Sequence, residues 1–444
     1  MSPTLVMILQ LLAGLSIIVI IHELGHFLAA RWFGMKVEKF YLFYDIGGFA
    51  LFRKKVGDVE YGVGWLPLGG YVKIAGMIDE SLDTDSMGRP PQPWEFRAKP
   101  AWQRLLVMSG GVIMNFILGV LLLGLLTFSQ GEARTPTAQL PQGIWPDSIG
   151  VEAGLQPGDV PVAVNGHPVR YLEDLFKSTY WLNDDTVTLT VVRGGETLDI
   201  AITDGPLSEI RHGALKNFIT PQLAFSVQEV VPETPAAEAG LRPGDSILAV
   251  NGQPVRSFQD FKARIREYAG KEVTLTVWRD GKTLDMPVRV RDDGTLGFMA
   301  RIHPPPVEHI HYGLAESFIR GLQRGGEILL GTVQGLGKIF TGQIDASRSI
   351  QGPISIARKI YGGHWDWIRF WTITALLSLV IGLMNILPIP ALDGGHIALL
   401  FVEMVRGRPL STRAQVIIQN IGMILLGALF IWIIFNDIIQ NFWR

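Results

Sequence analysis

The sequence predicts a polytopic α-helical membrane protein with four transmembrane helices, cytoplasmic-side β-hairpins or re-entrant loops, and an α+β insert on the opposite side. Three observations support this fold class. The 444 residues are 48% hydrophobic and only 18% charged, with a mean hydropathy of +0.27. Four apolar segments are long enough to span a bilayer, since a transmembrane helix needs about 20 residues. An internal repeat fills much of the insert between the second and third segments.

The four apolar segments lie at about 4–30, 105–128, 368–387 and 416–435. The third segment ends before Pro388, which cannot continue a helix. The first segment lacks the basic start and the A-x-A site of a cleaved signal peptide, so we expect it to be retained. The net charge of −2 gives no basis for nucleic-acid binding, and the absence of cysteine excludes disulfides and Cys-ligated metals.

Basic residues near the ends of the segments predict the orientation, because Lys and Arg accumulate in cytoplasmic loops. Such residues are frequent next to the apolar segments in loops 31–104 and 388–415, whereas residues 1–3 contain none and the C-terminal tail only Arg444. We therefore expect both loops to be cytoplasmic, and both termini and the insert 129–366 to lie outside.

The least expected feature of the first segment is its motif His22-Glu23-Leu24-Gly25-His26. On a helix, histidines four residues apart share one face, where two imidazole nitrogens can bind one zinc ion. The neighbouring Glu23 is placed to act as a general base toward a water molecule. Ionisable groups are unfavourable within a bilayer, so their presence here predicts a functional site.

A zinc ion bound by two histidines needs at least one further protein ligand. A candidate lies in residues 385–396, which read NILPIPALDGGH. Asp393 follows the third apolar segment and is predicted to lie at the same membrane level as His22 and His26. Alternatively, Asp393 only forms a turn before the two glycines. That role does not explain why an aspartate is predicted at this depth in the membrane.

Glycines punctuate β-prone runs in loop 31–104, a pattern that predicts hairpins. Within them, Gly69, Gly70 and Tyr71 are candidates for an edge strand that presents its backbone to an extended peptide. An ordinary cytosolic hairpin is the alternative, and the neighbouring metal motif favours the edge strand.

The insert contains an internal repeat. AGLQPGD at residues 153–159 recurs as AGLRPGD at 239–245, an offset of 86 residues (239 − 153), and AVNG at 163–166 recurs at 249–252. The order of short helix, turn, strand, N-G turn, helix and hairpin resembles the PDZ fold in both copies. Two unrelated sandwich-like units are the alternative.

PDZ domains bind an extended peptide as an added strand. In the second copy, Leu296, Gly297 and Phe298 resemble a PDZ carboxylate-binding loop. The equivalent residues 210–212 of the first copy read IRH and lack the glycine, which weighs against peptide binding there.

Five regions follow from these patterns. They are the first membrane half at 1–130, the first PDZ domain at 131–214, the second at 215–303, an amphipathic extracytoplasmic linker at 304–366, and the second membrane half at 367–444. The linker is assigned amphipathic helices because its apolar residues recur at helical spacing between charges.

The two metal motifs, the glycine-rich loop and the tandem PDZ pattern together resemble the site-2 protease family of intramembrane zinc metalloproteases, over essentially the whole chain. The resemblance implies one zinc ion with ligands His22, His26 and Asp393, and Glu23 as the catalytic base. It implies substrate contacts from Asn385, Pro388, Pro390, Gly69, Gly70, Tyr71 and Asn115. The family usually shows a Gly-Pro pair before the last of these, whereas this chain has Gly111 and Val112.

The resemblance also implies substrates and location. The substrates would be single-span proteins already trimmed outside, such as an anti-sigma factor after site-1 cleavage, and remnant signal peptides. The chain would lie among the lipids of a bacterial inner membrane and act in a stress response, with its active site toward the cytoplasm. Its periplasmic PDZ pair would act as a size filter.

Two other classes of protein match these patterns less well than a protease. A membrane-anchored PDZ scaffold with a vestigial metal site has no need of Glu23 together with three metal ligands. A transporter that uses intramembrane His and Asp residues fits four spans and two outside domains poorly. Both alternatives are therefore less favoured than an enzyme.

Overall fold

A computed structural model describes residues 2–77, 90–140, 142–176, 180–181, 185–210, 218–342, 347, 350 and 352–442. The chain forms two compact units, the first made of Met1–Gly131 with His311–Arg444 and the second of Glu132–Ile310. The α-helices are α1 (Pro3–Trp32), α2 (Ala101–Gln130), α3 (Ser148–Glu152), α4 (Asp204–Glu209), α5 (Pro235–Glu238), α6 (Phe258–Glu267), α7 (Leu314–Phe340), α8 (Pro353–Ser355), α9 (Trp367–Ile386), α10 (Asp393–Arg406) and α11 (Thr412–Phe442). A π-helical turn, Ile356–Tyr361, follows α8.

The strands of the first unit are β1 (Val37–Tyr44), β2 (Ala50–Val56), β3 (Val59–Gly64) and β4 (Leu66–Ile74). Those of the second unit are β5 (Glu132–Arg134), β6 (Ile144–Pro146), β7 (Val160–Val164), β8 (His167–Pro168), β9 (Thr186–Arg193), β10 (Glu196–Thr203), β11 (Ile219–Pro221), β12 (Phe225–Val230), β13 (Ser246–Val250), β14 (Gln253–Pro254), β15 (Glu272–Arg279), β16 (Lys282–Arg289), β17 (Phe298–Ile302) and β18 (Glu308–Ile310).

Within the described residues, four helices are long and apolar enough to cross a membrane: α1, α2, α9 and α11. They coincide with the four predicted apolar segments, so the prediction of a polytopic α-helical membrane protein is confirmed. Helix α9 ends at Ile386 because Leu387, with ψ of 141°, is extended ahead of Pro388.

Helix α2 is central to the first unit and packs against α1, α7, α9 and α10. Small residues permit the closest approaches, as is common between membrane helices. A Cβ atom on Gly321 of α7 would lie 2.7 Å from the backbone nitrogen of Gly124 on α2. The buried residues of α7 are Ser317, Gly321 and Gly325, which share one face of the helix.

The end of α11 is bound to α8 by a buried carboxylate. Asp437 accepts hydrogen bonds from the backbone N–H groups of Ile354 (2.7 Å) and Ser355 (3.1 Å). These donors belong to the first turn of α8, where no helical carbonyl is available to them. The interaction therefore caps α8 and places it beside α11.

Strands β1 to β4 form one sheet in the order β2-β3-β1-β4, so β4 is an edge strand. Tyr41 on β1 and Tyr71 on β4 are directly opposite and their rings stack, with centroids 5.3 Å apart. Gly62 on β3 is required beside them, because a Cβ atom there would overlap the Tyr41 ring. The stacked tyrosine pair thus stabilises the pairing of β4 with β1.

In the second unit, two four-stranded sheets have the same order, β10-β9-β7-β8 and β16-β15-β13-β14. Equivalent side-chain contacts recur 86 residues apart (245 − 159). Arg193 donates two hydrogen bonds to Asp159, of 2.7 and 2.8 Å. Arg279 donates two to Asp245, of 2.7 and 2.5 Å. Each of these carboxylates is buried.

Candidate metal centre

Three predicted ligands, from two elements far apart in the sequence, meet at one point. His22 and His26 lie one turn apart on α1, with their Nε2 atoms 3.3 Å from each other. Asp393, the first residue of α10, brings its Oδ2 to 3.1 Å from Nε2 of His22 and 3.3 Å from Nε2 of His26. Among the described residues, this is the group of side chains that could hold a metal ion.

The triangle formed by these atoms has the size that zinc requires. Bonds of about 2.0–2.1 Å in a tetrahedral zinc site separate the ligand atoms by about 3.3–3.4 Å. Apart from the two imidazoles, no donor among the described residues reaches the buried Oδ2 of Asp393. Three converging N and O donors, with a fourth position left for water or substrate, therefore fit a catalytic zinc ion.

The turn before α10 presents Asp393 by an unusual backbone path. Ala391 has a φ of +74°, which is uncommon for a residue other than glycine. At Gly394 a Cβ atom would overlap the carbonyl of Leu387, and at Gly395 it would lie 2.5 Å from the carbonyl oxygen of Ile389. The two glycines therefore let the turn fold back tightly on the first turn of the helix.

Pro388 and Pro390 lie in this same turn, and Gly422 of α11 packs against Pro390. The structure therefore gives both prolines a role in shaping the chain that leads to Asp393. Their predicted contact with substrate stays a prediction.

Helix α2 forms the wall behind the imidazoles. A Cβ atom on Gly111 would lie 2.6 Å from Cε1 and 2.7 Å from Nε2 of His22, so only glycine leaves room for the imidazoles. The Nδ1 atom of His26 lies 2.8 Å from the Val107 carbonyl, to which it donates. Nδ1 of His22 lies 3.2 Å from the side-chain amide of Asn115.

Gly25, Gly110 and Gly111 were not predicted to belong to the site. The sequence shows a Gly-Gly pair in the second apolar segment and a glycine inside the metal motif, but not that they meet. Their importance depends on which helices are neighbours, and a single sequence does not display that.

The predicted base, Glu23, is nearly buried beside the metal ligands. The edge strand β4 passes directly next to it, because a Cβ atom on Gly70 would lie 3.4 Å from Cγ of Glu23. Gly69 has a φ of +159°, and Tyr71 donates a hydrogen bond of 2.7 Å to Asp45. The structure thus brings the predicted edge strand and the predicted base together.

Asn385 lies next to the ring nitrogen of His22 that would bind the metal, with its Nδ2 atom 3.4 Å from Nε2 of His22. His396, the last residue of the second motif, lines a separate cavity with Arg104 and Glu403. It therefore does not join the three candidate ligands.

The predicted peptide-binding loop of the second repeat is found at the start of β17. Gly297 has a φ of +88°, and a Cβ atom there would overlap Thr234, whose hydroxyl donates to the Gly297 carbonyl (3.1 Å). Leu296 is buried and Phe298 partly buried. In the first repeat, Arg211 and His212 lie outside the described residues.

The two histidines of an HExxH helix lie next to an aspartate from another helix, in a unit whose long helices could cross a membrane. This arrangement is that of a membrane-embedded metallopeptidase. The sequence model of the family described as "Peptidase family M50" matches residues 10–429 of this chain. The chain therefore belongs to this family. The site-2 protease family predicted from the sequence is therefore confirmed.

Named relatives cover nearly the whole chain. A "Putative zinc metalloprotease" of Vibrio cholerae is 30% identical over 96% of this chain and 96% of its own length. The "Regulator of sigma E protease" of Haemophilus influenzae is 29% identical over 96% and 97% of the two chains. The "Regulator of sigma-E protease RseP" of Escherichia coli is 29% identical over the same shares, 96% and 97%.

Proposed function

We propose that this chain is an intramembrane zinc metalloprotease that hydrolyses peptide bonds within transmembrane segments. One observation carries the proposal: three ligand atoms with zinc-like spacing lie beside Glu23 on α1, a helix long enough to span a membrane. A scaffold protein needs neither a general base nor converging ligands. The names of the relatives support the same conclusion.

The residues divide the chemistry between them. A bound zinc ion supplies a Lewis acid that polarises a carbonyl group and makes water reactive near neutral pH. Glu23 accepts the proton of the attacking water and then delivers it to the leaving amine. His22, His26 and Asp393 keep the reacting groups in place, so that Glu23 can act over a short distance.

A peptide bond in a helical substrate is protected, because its carbonyl is hydrogen-bonded within the helix. We infer that the substrate unwinds locally and pairs with the outer edge of β4, the last strand of its sheet. Gly70 lies beside Glu23, so an extended segment on this edge would pass the base. Gly69 and Tyr71 would contribute to the same edge. Asn385, on the metal-facing side of His22, would donate a hydrogen bond to the substrate backbone.

The distribution of Lys and Arg supports a cytoplasmic location for the sheet and the metal centre. The relatives named regulators of sigma-E protease support a bacterial inner-membrane location and a membrane-bound anti-sigma factor as substrate. In this proposal the substrate has already lost its outer domain to a first protease. Remnant signal peptides form a second substrate class.

We further propose that residues 131–214 and 215–303 are two periplasmic PDZ domains that act as a size filter. The equal strand orders and the recurring Asp–Arg pairs support two copies of one fold. The left-handed backbone at Gly297 supports a carboxylate-binding loop in the second copy. A filter of this kind would exclude substrates whose outer domains are intact.

The catalytic proposal is tested with purified full-length protein and a trimmed single-span substrate. Glu23→Gln should keep its zinc and lose cleavage by about 10²–10⁴-fold, the contribution typical of a general base. Glu316→Gln, an exposed control on α7, should cleave normally. Undiminished cleavage by Glu23→Gln would contradict its role as the general base. Cleavage by wild-type protein that contains no zinc would contradict the metal centre.

The filter is tested by deleting residues 131–300. The deletion should permit cleavage of a substrate with an intact outer domain while trimmed substrate is still cut. If only trimmed substrate is cut, the repeats have another function.

A further inference from the structure

We infer that Asn115 is a positioning residue for the metal centre, and that its side chain accepts a hydrogen bond from Nδ1–H of His22. This bond selects the imidazole tautomer whose Nε2 is free to bind zinc. The inference rests on the proposed zinc protease function and assigns Asn115 a role other than contact with substrate.

The geometry of Asn115 is specific. Its side chain is fully buried on α2, and its amide lies 3.2 Å from Nδ1 of His22. The other end of the amide, Oδ1, is buried without a hydrogen-bond partner among the described residues. A buried oxygen that receives no hydrogen bond is unfavourable. Its presence beside the centre therefore calls for a physical explanation.

The chemistry of imidazole supplies that explanation. A neutral imidazole has one N–H group, and the nitrogen that binds a metal must offer a lone pair. Nε2 of His22 faces Asp393 and His26, so it is the metal-facing nitrogen. Nδ1 then carries the hydrogen and needs an acceptor.

The two ends of an asparagine amide have nearly the same shape, so their assignment follows from the hydrogen-bond network. Only Oδ1 can accept the hydrogen of Nδ1–H. Rotation of the amide by 180° places Oδ1 of Asn115 against Nδ1 of His22 at the observed separation. This orientation gives Nδ1–H its acceptor, whereas the opposite orientation would place two donors, Nδ1–H and Nδ2–H, against each other.

His26 provides an internal comparison. Its Nδ1 already donates to the backbone carbonyl of Val107, also on α2, at 2.8 Å. Both imidazoles thus find their acceptors on the same helix. The acceptor of His26 is independent of side-chain identity, whereas that of His22 depends on the residue at position 115.

The position of Asn115 separates it from a substrate-binding role. It contacts Nδ1 of His22, the ring nitrogen remote from Asp393, whereas Asn385 approaches Nε2 on the metal side. The backbone of Asn115 is itself anchored, because Ser378 donates a 2.8 Å hydrogen bond to its carbonyl. Asn115 is therefore placed to act through His22.

The test measures metal binding directly in the detergent-solubilised full-length protein. Asn115→Ala should release Zn²⁺ to a chelator with an affinity about 10–100-fold lower than wild type, as expected for loss of a ligand's hydrogen-bond partner. Asn115→Asp should bind Zn²⁺ at least as tightly as wild type, because a carboxylate is a stronger acceptor. After substitution with Co²⁺, the absorption spectrum of Asn115→Asp should equal that of wild type, and the spectrum of Asn115→Ala should differ from it.

The control is Thr374→Val, which removes a buried hydroxyl group from α9 that donates to the Phe370 carbonyl of its own helix and lies beside the Tyr361 hydroxyl. This variant should bind Zn²⁺ like wild type. Melting of the metal-free proteins checks that each variant is folded.

Three outcomes separate the inference from the proposed function. Wild-type protein that binds no Zn²⁺ would overturn the proposed function. Wild-type binding with unchanged affinity in Asn115→Ala would overturn the inference alone. Equal losses for Ala and Asp would also overturn it, because that pattern indicates a packing role for the amide.

Discussion

A methyl group on Gly110 of α2 would lie 2.6 Å from the backbone oxygen of Gly25 on α1, and one on Gly25 would overlap the Gly110 carbonyl. The two helices therefore touch backbone to backbone within the HExxH motif itself. This contact sets the distance between the imidazoles of α1 and the groups of α2 that support them.

Gly25→Ala should force α1 and α2 apart. Overpacking of this kind destabilises a protein by about 1–3 kcal/mol, so the melting temperature and the cleavage rate should both fall. The matched control is Gly427→Ala on α11, where a Cβ atom would meet nothing within 4 Å. The control should be neutral or gain up to about 1 kcal/mol from better helix propensity. Equal behaviour of the two variants would contradict the helix contact.

Gly111→Ala should act on metal binding more than on folding. Its new methyl group would lie 2.7 Å from Nε2 of His22, the atom that faces the metal. We expect weaker Zn²⁺ binding by at least about tenfold, the size of effect produced by disturbed ligand support. Chelator competition measures this, with Gly427→Ala again as control. If Gly111→Ala binds Zn²⁺ with the affinity of wild type, α2 moves away from the imidazoles without disturbing the ligands.

Arg104 at the start of α2 and Glu403 on α10 form a two-bond ion pair, one of whose bonds is 3.1 Å. Because α10 begins with Asp393, this pair connects the third ligand's helix to α2. Glu403→Gln should lower stability by about 2 kcal/mol, a typical value for a hydrogen bond to a charged group. Exchange of the two residues, Arg104→Glu with Glu403→Arg, should recover part of the loss.

Thermal unfolding and Zn²⁺ retention measure the effect of the ion pair. The control is Glu316→Gln, which breaks an exposed ion pair with Arg320 and should change stability by no more than about 1 kcal/mol. A double exchange as unstable as Glu403→Gln would show that the pair's geometry, not its charge, matters.

The buried Asp245–Arg279 pair predicts acid sensitivity of the second unit. Burial opposes ionisation of Asp245, but the hydrogen bonds from Arg279 outweigh it and hold its pKa below the ordinary value. A lowered folded-state pKa stabilises the fold fully above the ordinary value of about 3.9. This stabilisation is lost as pH falls through the lowered pKa.

Asp245→Asn should therefore destabilise the protein at pH 7, by about 3 kcal/mol for a broken buried pair. The difference from wild type should begin to shrink below about pH 4, where the unfolded-state carboxylate starts to bind protons, and should disappear only when the pH falls through the lowered folded-state pKa. Melting curves at both pH values measure this, with the exposed Asp185→Asn as control. A difference that is the same at both pH values would contradict the ionic origin.

Local patterns made much of the fold predictable. Apolar runs of membrane-spanning length predicted α1, α2, α9 and α11, because hydropathy is a property of contiguous residues. Proline chemistry predicted the end of α9 before Pro388. The glycine-rich run at 66–73 predicted strand structure, and β4 is indeed an edge strand.

The candidate site was predictable only in its parts. The HExxH spacing shows that His22 and His26 share a face, since the helical repeat is local. The supporting glycines at 25, 110 and 111 were missed, because their need for a small residue comes from a partner helix. Asn115 was predicted from family resemblance as a substrate contact, which stays a prediction, and its contact with Nδ1 of His22 was not foreseen.

By itself, the sequence determined which segments are apolar, where the third of them ends, and which side chains can bind a metal. Only the tertiary structure decided that Asp393, 371 residues after His22 (393 − 22), comes within 3.1 Å of it. The reason is physical: periodicity and turn chemistry act between near neighbours in the chain. The meeting of α1, α2 and α10 depends instead on packing between helices distant in sequence.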